Sequence, residues 1–335
     1  MCVRMFNVAL TDHTTNPPLI EREILGKMAN VYCPDRRLES DDELVAFARD
    51  ADAIIYSSGL ILKGGMMDRI PNLKMISMQS IGFDVVDVKA ATERRILVSN
   101  VPDYCVEEVA DHAVSLALAQ LRGLFPLDVF VRKSRWGAES GTAITLHRLS
   151  TQVFGLVGFG NIAKRVAMRA KSFGLRVIAY DPYLPRWEFT LLGVERVDSL
   201  AELLSQSDVV SAHVPINERT KNLIGAREIG LMKQSAYFVN TGRGKTVDQQ
   251  ALTAALKSKR IAGAALDVFH DEPLSHDDPL MTLDNVILTP HIAGYSEESL
   301  IAVRRDAAQA VVDALSGKRP QFLLNPQAFR EAGVS

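Results

Sequence analysis

The sequence predicts an α/β protein built from two parallel sheets with helices packed on their faces. Short apolar segments of strand length alternate with helix-like segments through the first hundred residues, and the alternation resumes after residue 150. Such alternation is typical of βαβ units and therefore of parallel sheets. A chain of 335 residues is also longer than a single hydrophobic core usually serves, so we expect two domains.

The first part of the chain predicts four strands and a helix. The strands are expected at Met5–Leu10, Ala53–Tyr56, Met75–Met78 and Ile96–Val98, and the helix at Asp41–Arg49. Acidic residues open that helix, where the positive end of the helix dipole favours negative charge.

A long apolar helix is predicted next, at Val106–Leu124, with almost no polar face after Asp111. Helices of this kind are normally packed between layers or subunits. The stretch that follows, residues 125–150, is predicted to be irregular and to serve a function or an interface. Within it, Trp136 is interpreted either as an interface anchor or as an ordinary packing residue of the loop.

The second part of the chain predicts a complete dinucleotide-binding sheet. Its six strand-like segments match the strand count of such a sheet. They lie at Val153–Val157, Arg176–Tyr180, Val209–Val214, Ala236–Asn240, Ala262–Leu266 and Val286–Leu288. A last helix is expected at about Glu297–Leu315, since Gly317 and Pro320 supply a stop signal.

Composition and charge exclude several classes of protein. The formal net charge of -2, with no run of Lys or Arg, argues against general binding to nucleic acid or to an anionic membrane. The sequence has no apolar run of 18 residues that would span a membrane. Cys2, Cys33 and Cys105 are widely spaced, so neither a disulfide framework nor a metal site is predicted. We therefore expect a cytoplasmic protein without metal, nucleic acid or membrane among its partners.

A glycine-rich turn after the strand at Val153–Val157 predicts a cofactor site. It reads GFGNIA from Gly158 to Ala163 and opens a helix-like segment. Glycines allow the tight turn and let backbone amides approach a pyrophosphate at the positive end of the helix. Ala163 replaces a third glycine, which is allowed because that position only needs close packing of helix and strand.

Asp181 predicts which dinucleotide binds there. It ends the next strand, RVIAYD, 18 residues beyond Ala163, where an acid would bond the hydroxyls of the adenosine ribose. A carboxylate there would repel a 2′-phosphate, and neither Pro182 nor Tyr183 supplies a compensating charge. The sequence therefore predicts NAD rather than NADP.

Three further motifs follow the ends of predicted strands: NTGRG at 240–244, DVFHDEP at 267–273 and TPHIAG at 289–294. Ligands of an open parallel sheet bind at the carboxyl ends of its strands, so these side chains are expected to converge. Arg243 is suited to grip a carboxylate, His291 to exchange a hydroxyl proton, and Glu272 to orient and support the imidazolium. The set predicts hydride transfer between NAD(H) and a small 2-hydroxy or 2-oxo acid.

From about Leu60 to Gly317 these motifs resemble the D-isomer-specific 2-hydroxyacid dehydrogenases. The resemblance implies that Arg243 binds the substrate carboxylate and that His291 with Glu272 forms the acid/base pair. It also implies a substrate loop in the string SIGFD at 80–84, with Ile81 and Gly82 among the substrate-binding residues. The cofactor-binding residues that it implies are Gly158, Gly160, Asn161, Ile162, Asp181, His213, Val214, Pro215, Thr241, Arg243, Asp267, His291 and Gly294.

The resemblance assigns particular contacts to several of these residues. Asn161 and Ile162 would meet the pyrophosphate, and Val214, before Pro215, would line the adenine pocket. Asp267 would hold the nicotinamide carboxamide, and Thr241 would lie beside the nicotinamide ribose.

The resemblance also implies the arrangement of domains. Residues 1–101 and 292–335 would form a smaller, flavodoxin-like substrate domain, and residues 102–291 an inserted Rossmann-like NAD-binding domain. The inserted domain would also carry the contacts of a homodimer.

His112, on the apolar helix, is interpreted as a packed residue with satisfied hydrogen bonds rather than as a ligand, and His213 as a lining residue without chemistry. The alternative function is an NAD(H)-sensing, corepressor-like binding module, a branch that the segment at Val101–Asp111 also resembles. Against it, Gly294 stands where that branch carries a tryptophan. A formate-dehydrogenase-like function is excluded because Glu272 stands where that branch has a glutamine.

Overall fold

Two parallel sheets, one of five strands and one of seven, organise the chain. The computed structural model describes residues 5–12, 14, 17–57, 59–137 and 145–329. The chain divides into two compact units, Met1–Tyr104 with Ser296–Ser335, and Cys105–Tyr295, and each unit contains one sheet. The predicted α/β class with two parallel sheets is confirmed.

The elements have the following bounds. In chain order the strands are β1 Phe6–Leu10, β2 Ala29–Tyr32, β3 Ala53–Tyr56, β4 Met75–Met78, β5 Leu97–Ser99, β6 Val153–Val157, β7 Arg176–Tyr180, β8 Glu195–Arg196, β9 Val209–Ala212, β10 Tyr237–Asn240, β11 Gly263–Leu266 and β12 Val286–Leu288. The helices are α1 Leu19–Leu25, α2 Asp41–Ala48, α3 Gly64–Met67, α4 Val88–Glu93, α5 Val106–Leu121, α6 Leu124–Arg132, α7 Asn161–Ser172, α8 Arg186–Leu191, α9 Leu200–Gln206, α10 Ala226–Leu231, α11 Gln249–Lys257 and α12 Glu297–Leu315.

The unit of residues 1–104 and 296–335 has strand order β2-β1-β3-β4-β5, the flavodoxin-like order. Helices α1 and α12 pack on one face of this sheet, and α2, α3 and α4 pack on the other. Local sequence fixes the helix starts: the Ser40 side chain accepts a hydrogen bond from the Glu43 amide at 3.2 Å, and Ser296 caps α12 in the same way.

The unit of residues 105–295 has strand order β12-β11-β10-β9-β6-β7-β8. Helices α5 and α7 cover one face, and α9, α10 and α11 cover the other. The order reverses between β6 and β9, so the loops that follow these strands flank a crevice at their carboxyl ends, where ligands of such sheets bind.

Two strands and one helix differ from the prediction. β2 and β8 are edge strands, each paired on one side only, and an edge strand does not require the continuous apolar run of a buried one. Residues 125–132, predicted to be irregular, belong to α6. Pro126 lies in the first turn of this helix, where its missing N–H costs no hydrogen bond. Gly123, at φ 59°, separates α6 from α5.

Among the residues that the structure describes, no single helix is long and apolar enough to cross a membrane. Only α5 and α6 taken together meet the criteria of length and composition, and they are bent by 55° relative to each other.

Candidate active site

Gly158 begins the turn after β6, and no other residue type fits there. Its φ is 87°, and a Cβ would lie 2.7 Å from the carbonyl oxygen of His213 and 2.9 Å from Cγ1 of Val214. The loop after β9, which carries the predicted residues His213, Val214 and Pro215, therefore packs directly against the glycine turn. Phe159, the next residue, is fully buried and stacks on Phe189, which anchors the turn in the core.

Gly160 is the N-cap of α7 and faces open space. No side chain caps this helix end, and a Cβ on Gly160 would meet no atom within 4 Å. Asn161 and Ile162 form the first turn, where N–H groups point out along the helix axis. An uncapped helix end beneath open space fits a pyrophosphate.

Asp181 follows β7 and lies beside the glycine turn. One carboxylate oxygen accepts a hydrogen bond from the Phe159 amide at 3.0 Å, and the other accepts one from the Tyr183 amide at 2.9 Å. Each carboxylate oxygen has a further lone pair, so both can still accept from ribose hydroxyls. The structure thus places Asp181 beside the glycine turn, and its contact with a ribose stays a prediction.

Thr241 provides an independent test of fit for a ligand. Its side chain is 7% exposed, and its hydroxyl makes no hydrogen bond to any residue that the structure describes. A buried hydroxyl without a partner is costly, and a polar ligand group at this end of the sheet would remove the cost. With open Gly160 and the carboxylate of Asp181, Thr241 makes this edge fit a dinucleotide.

His213 is electrically neutral here. Burial lowers the pKa of its imidazole to about 4, and Nε2 lies 2.8 Å from the Ser211 hydroxyl. A neutral ring adds no positive charge to the edge of the sheet, in agreement with a lining role.

Arg243 is presented by a tightly braced loop after β10. The buried Asn240 side chain accepts from the Gly242 amide at 3.0 Å and donates to the Arg243 carbonyl at 3.1 Å. The Thr246 hydroxyl donates to the same carbonyl at 2.7 Å. These bonds fix the Arg243 backbone, so the position from which its guanidinium extends is set in advance.

Glu272 and His291 form a hydrogen-bonded pair. His291 Nδ1 lies 2.6 Å from Glu272 Oε2, and the other carboxylate oxygen accepts from the Phe269 amide at 2.9 Å. With Nδ1–H donating to the carboxylate, Nε2 is left as the ring nitrogen that can exchange a proton with a ligand. The His291 side chain is 50% exposed, so the ring is accessible.

The pKa of His291 is raised and that of Glu272 is lowered. The hydrogen bond that His291 donates to Glu272 is the largest influence on His291 and raises its pKa, against the opposing effects of burial and of Arg243. For Glu272, burial is the largest single influence and raises the pKa, but bonds from His291 and the Phe269 amide, with the charge of Arg243, outweigh it and leave the pKa lowered. The charged pair, imidazolium with carboxylate, is therefore favoured, and Arg243 is close enough to act on both.

Asp267 has a buried carboxylate that accepts several hydrogen bonds from the loop after β12. Its side chain is fully buried, and its carboxylate accepts hydrogen bonds from the Thr289 hydroxyl at 2.6 Å and from the Ile292 and Ala293 amides at 2.9 Å each. It thus organises the loop of His291. Gly294, another predicted cofactor-binding residue, comes directly after Ala293 in this loop. A contact of Asp267 with nicotinamide stays a prediction.

Ile81 and Gly82 lie in the loop after β4 of the other unit. Its carbonyls are turned inward: that of Ser80 accepts from the Val101 amide at 3.1 Å, and that of Ile81 from the Asn100 side chain at 2.7 Å. The amides of Ile81 and Gly82 donate to no residue in the described part of the chain. Free amides in a braced loop can receive an anionic group.

Sequence reasoning missed the polar residues that brace these loops, namely Asn100, Asn240 and Thr289. It expected His112 to be packed with satisfied hydrogen bonds, but not which residue it contacts. His112 Nε2 lies 3.0 Å from the Thr289 hydroxyl. The available signal was position alone: Asn240 ends β10, and Thr289 directly follows β12. Among the described residues, no group of three or more His, Cys, Asp or Glu side chains is arranged to hold a metal ion.

Comparison with known proteins identifies the family. Residues 114–293 match the family model described as D-isomer specific 2-hydroxyacid dehydrogenase, NAD binding domain. A glyoxylate reductase of Korarchaeum cryptofilum is 38% identical over 298 residues, 88% of this chain and 89% of that protein. The chain belongs to the D-isomer specific 2-hydroxyacid dehydrogenase family. The predicted family, an enzyme of this dehydrogenase class, and NAD as the cofactor are thereby confirmed.

Two further relatives bear on how far the likeness extends. A D-3-phosphoglycerate dehydrogenase of Methanocaldococcus jannaschii is 37% identical over 284 residues, which cover 85% of this chain. This chain spans only 53% of that relative's length. The solved D-lactate dehydrogenase of Aquifex aeolicus, complexed with NAD and lactic acid, has a TM-score of 0.83 and 30% identity, covering 95% of this chain and 99% of that one.

Proposed function

We propose that the chain reduces a small 2-oxo acid to the D-2-hydroxy acid with NADH, with Arg243 as the carboxylate clamp and His291–Glu272 as the acid/base pair. The observation that carries the proposal is the 2.6 Å contact between His291 Nδ1 and Glu272, with the charge of Arg243 acting on both residues. An imidazolium, a supporting carboxylate and a guanidinium are what reduction of a 2-oxo acid requires.

Bound NADH would supply the hydride that reaches C2 of the substrate. His291, as imidazolium, donates the proton on Nε2 to the oxygen of C2, and becomes neutral imidazole. Glu272 stabilises the imidazolium before the transfer and keeps the ring in the orientation that exposes Nε2. Arg243 holds the substrate carboxylate by paired hydrogen bonds, which fixes the face of the carbonyl carbon. In the oxidative direction the neutral imidazole accepts the hydroxyl proton.

The predicted binding residues support the same proposal. The open end of α7 at Gly160, the lone pairs of Asp181 and the unpartnered hydroxyl of Thr241 favour NAD at the carboxyl edge of the seven-stranded sheet. Ile81 and Gly82 are kept as substrate-binding residues because their amides have no acceptor within the described residues.

The substrate class is tested by following NADH oxidation with glyoxylate, hydroxypyruvate, pyruvate, longer 2-oxo acids and phosphohydroxypyruvate. We propose glyoxylate as the first substrate to try, because the Korarchaeum relative carries that activity in its name. His291→Ala is the matched control, since it removes the proton donor and leaves the glycine turn intact. Failure of every 2-oxo acid with the wild-type protein would reject the proposal. The corepressor-like alternative is not favoured, because the relatives compared above are named as enzymes.

We also propose that the protein is a cytoplasmic homodimer. Helix α6 and the residues after it expose large apolar side chains, which is typical of an interaction surface. These residues are Leu124, Phe125, Val129, Val131 and Trp136. Light scattering after gel filtration tests the mass, and Phe125→Glu with Trp136→Glu should yield monomer if this surface is the interface.

A further inference from the structure

His291 adopts a backbone conformation that residues other than glycine rarely take. Its φ is 54°, in the left-handed region. Its amide donates to the Asp267 carbonyl at 2.8 Å, and the next two amides, of Ile292 and Ala293, donate to the Asp267 carboxylate at 2.9 Å each. A strained conformation persists only where its surroundings fix it, and here Asp267 supplies the surroundings.

The Asp267 carboxylate itself depends on a third donor. It is fully buried, so its charge must be met by hydrogen bonds from the protein. Besides the two amides, the Thr289 hydroxyl lies 2.6 Å from Oδ1. A contact of that length between two oxygens requires a hydrogen between them, and the hydroxyl of Thr289 provides it.

This use of the Thr289 proton determines the state of His112. A hydroxyl has one proton, which Thr289 donates to Asp267, so its oxygen must accept from its other neighbour. That neighbour is His112 Nε2 at 3.0 Å. His112 therefore carries hydrogen on Nε2, and the chain of donors runs from His112 through Thr289 to Asp267.

His112 is well placed to act as a fixed point. It lies on α5, whose apolar residues, among them Val109, Ala113 and Leu116, are buried in the core of this unit. The imidazole is 24% exposed and also lies 3.7 Å from Asp267 Oδ1. Through Thr289 it joins a rigid helix to the loop that carries His291.

We propose that His112 is a positioning residue for the proton donor, a proposal that rests on the proposed function of His291. By donating from Nε2 to Thr289 it completes the bonds around Asp267, and Asp267 holds His291 in the conformation that directs Nε2 toward the substrate. His112 touches neither substrate nor cofactor. Its loss lowers the rate of proton transfer and leaves binding by Arg243 and by the glycine turn unchanged.

Kinetics of matched variants test this positioning role. His112→Gln keeps an N–H donor near the place of Nε2, whereas His112→Asn places its donor near Nδ1 and His112→Leu has none. We expect kcat for reduction to fall about tenfold in His112→Leu and His112→Asn, as for loss of one buried hydrogen bond, and to stay within about twofold in His112→Gln. KM for the 2-oxo acid and Kd for NADH should stay near wild-type values in all three.

Thr289 supplies the second half of the test. Thr289→Val removes the hydroxyl at constant shape and should reproduce His112→Leu, whereas Thr289→Ser should retain activity. Because the two residues act in one chain, the double variant His112→Leu, Thr289→Val should be no slower than either single one. Thermal unfolding of each variant separates loss of positioning from loss of the fold.

A spectroscopic readout keeps this inference separate from the proposed function. With ¹⁵N-histidine labelling, the His112 signal, assigned by its absence in His112→Gln, should show the Nε2–H tautomer. If the wild-type protein reduces no 2-oxo acid, the proposed function fails, and the tautomer still decides the contact. Hydrogen on Nδ1 alone, full kcat in His112→Leu, or equal loss in His112→Gln and His112→Leu would overturn the positioning role.

Discussion

Gly244 lies so close to Phe269 that a Cβ on Gly244 would be 1.9 Å from the Phe269 carbonyl oxygen. The contact joins the loop that carries Arg243 to the loop that carries Glu272, because the Phe269 amide donates to the Glu272 carboxylate at 2.9 Å. The loops of these two charged residues can approach each other this closely only because residue 244 has no side chain.

The first prediction concerns this contact. Gly244→Ala should destabilise the protein by about 1–3 kcal/mol through overpacking, since the atoms met are backbone and cannot rotate away. It should also lower kcat/KM, because the loops of Arg243 and Glu272 must separate. Thermal unfolding and steady-state kinetics measure the two effects.

Gly230 provides the control for that substitution. A Cβ at Gly230 in α10 would meet no atom within 4 Å, so Gly230→Ala should leave activity unchanged and stabilise the helix slightly. A Gly244→Ala protein that melts with the wild type would show that the two loops are not in contact.

The second prediction concerns the carboxylate clamp. Arg243→Ala should lower kcat/KM by a factor that corresponds to about 2–5 kcal/mol of transition-state stabilisation, because the substrate charge is left unpaired. Arg243→Lys keeps the charge but loses the planar fork, so it should recover only part of the loss. Near-normal turnover of 2-oxo acids by Arg243→Ala would mean that another group binds the carboxylate.

The third prediction concerns the choice of cofactor. Asp181 lies beside the glycine turn, where its carboxylate would meet a 2′-phosphate, and two unpaired like charges are costly to bring together. The kcat/KM with NADH should exceed that with NADPH by about a hundredfold. Asp181→Ala should lower this ratio, mainly because NADH binds more weakly without the carboxylate. Equal kcat/KM values for NADH and NADPH with the wild-type protein would rule out this role for Asp181.

Much of the fold could be predicted because central strands of a parallel sheet are buried on both faces. Such strands appear in the sequence as short apolar runs, and the central strands β3, β4, β6 and β7 have the predicted bounds. The edge strand β12 was also predicted, because it keeps an apolar run. The edge strands β2 and β8 were missed because β2 contains the exposed Asn30 and β8 has only two residues, so neither shows such a run. α6 was missed because residues 125–150 were predicted as one irregular stretch, although Pro126 in the first turn is compatible with a helix.

The site was predictable to the extent that motifs follow strand ends. The structure brings Glu272 and His291 into contact and places Asp181 beside the glycine turn. The bonds around His291 were not predictable, since Thr289 and His112 act through partners that are distant in sequence. Asn240 braces Gly242 and Arg243, which are close in sequence, but a motif does not show which hydrogen bonds its side chains make. The positive φ of His291 gives no signal in the sequence either, because a motif shows which residue is present but not its backbone conformation.

The last prediction concerns the pH dependence that Glu272 imposes on His291. The pKa of His291 is raised, chiefly by the hydrogen bond to Glu272, so the imidazolium persists above its ordinary range near pH 6.5. Reduction needs the imidazolium, so kcat/KM for reduction should be maximal below that pKa and should fall as the pH rises through it. Glu272→Gln removes the charge and keeps the shape. The influences that remain include burial and Arg243, which both lower the pKa, so the alkaline limb of kcat/KM should move to lower pH. Asp271→Asn is the matched control, because Asp271 is in the same loop but pairs with His270 at 3.1 Å. The alkaline limb of the Asp271→Asn profile should not move. The rate loss at low pH should be smaller in Glu272→Gln than in His291→Ala, since the proton donor is still present. An alkaline limb in Glu272→Gln that coincides with the wild type would show that Glu272 does not set the pKa of the proton donor.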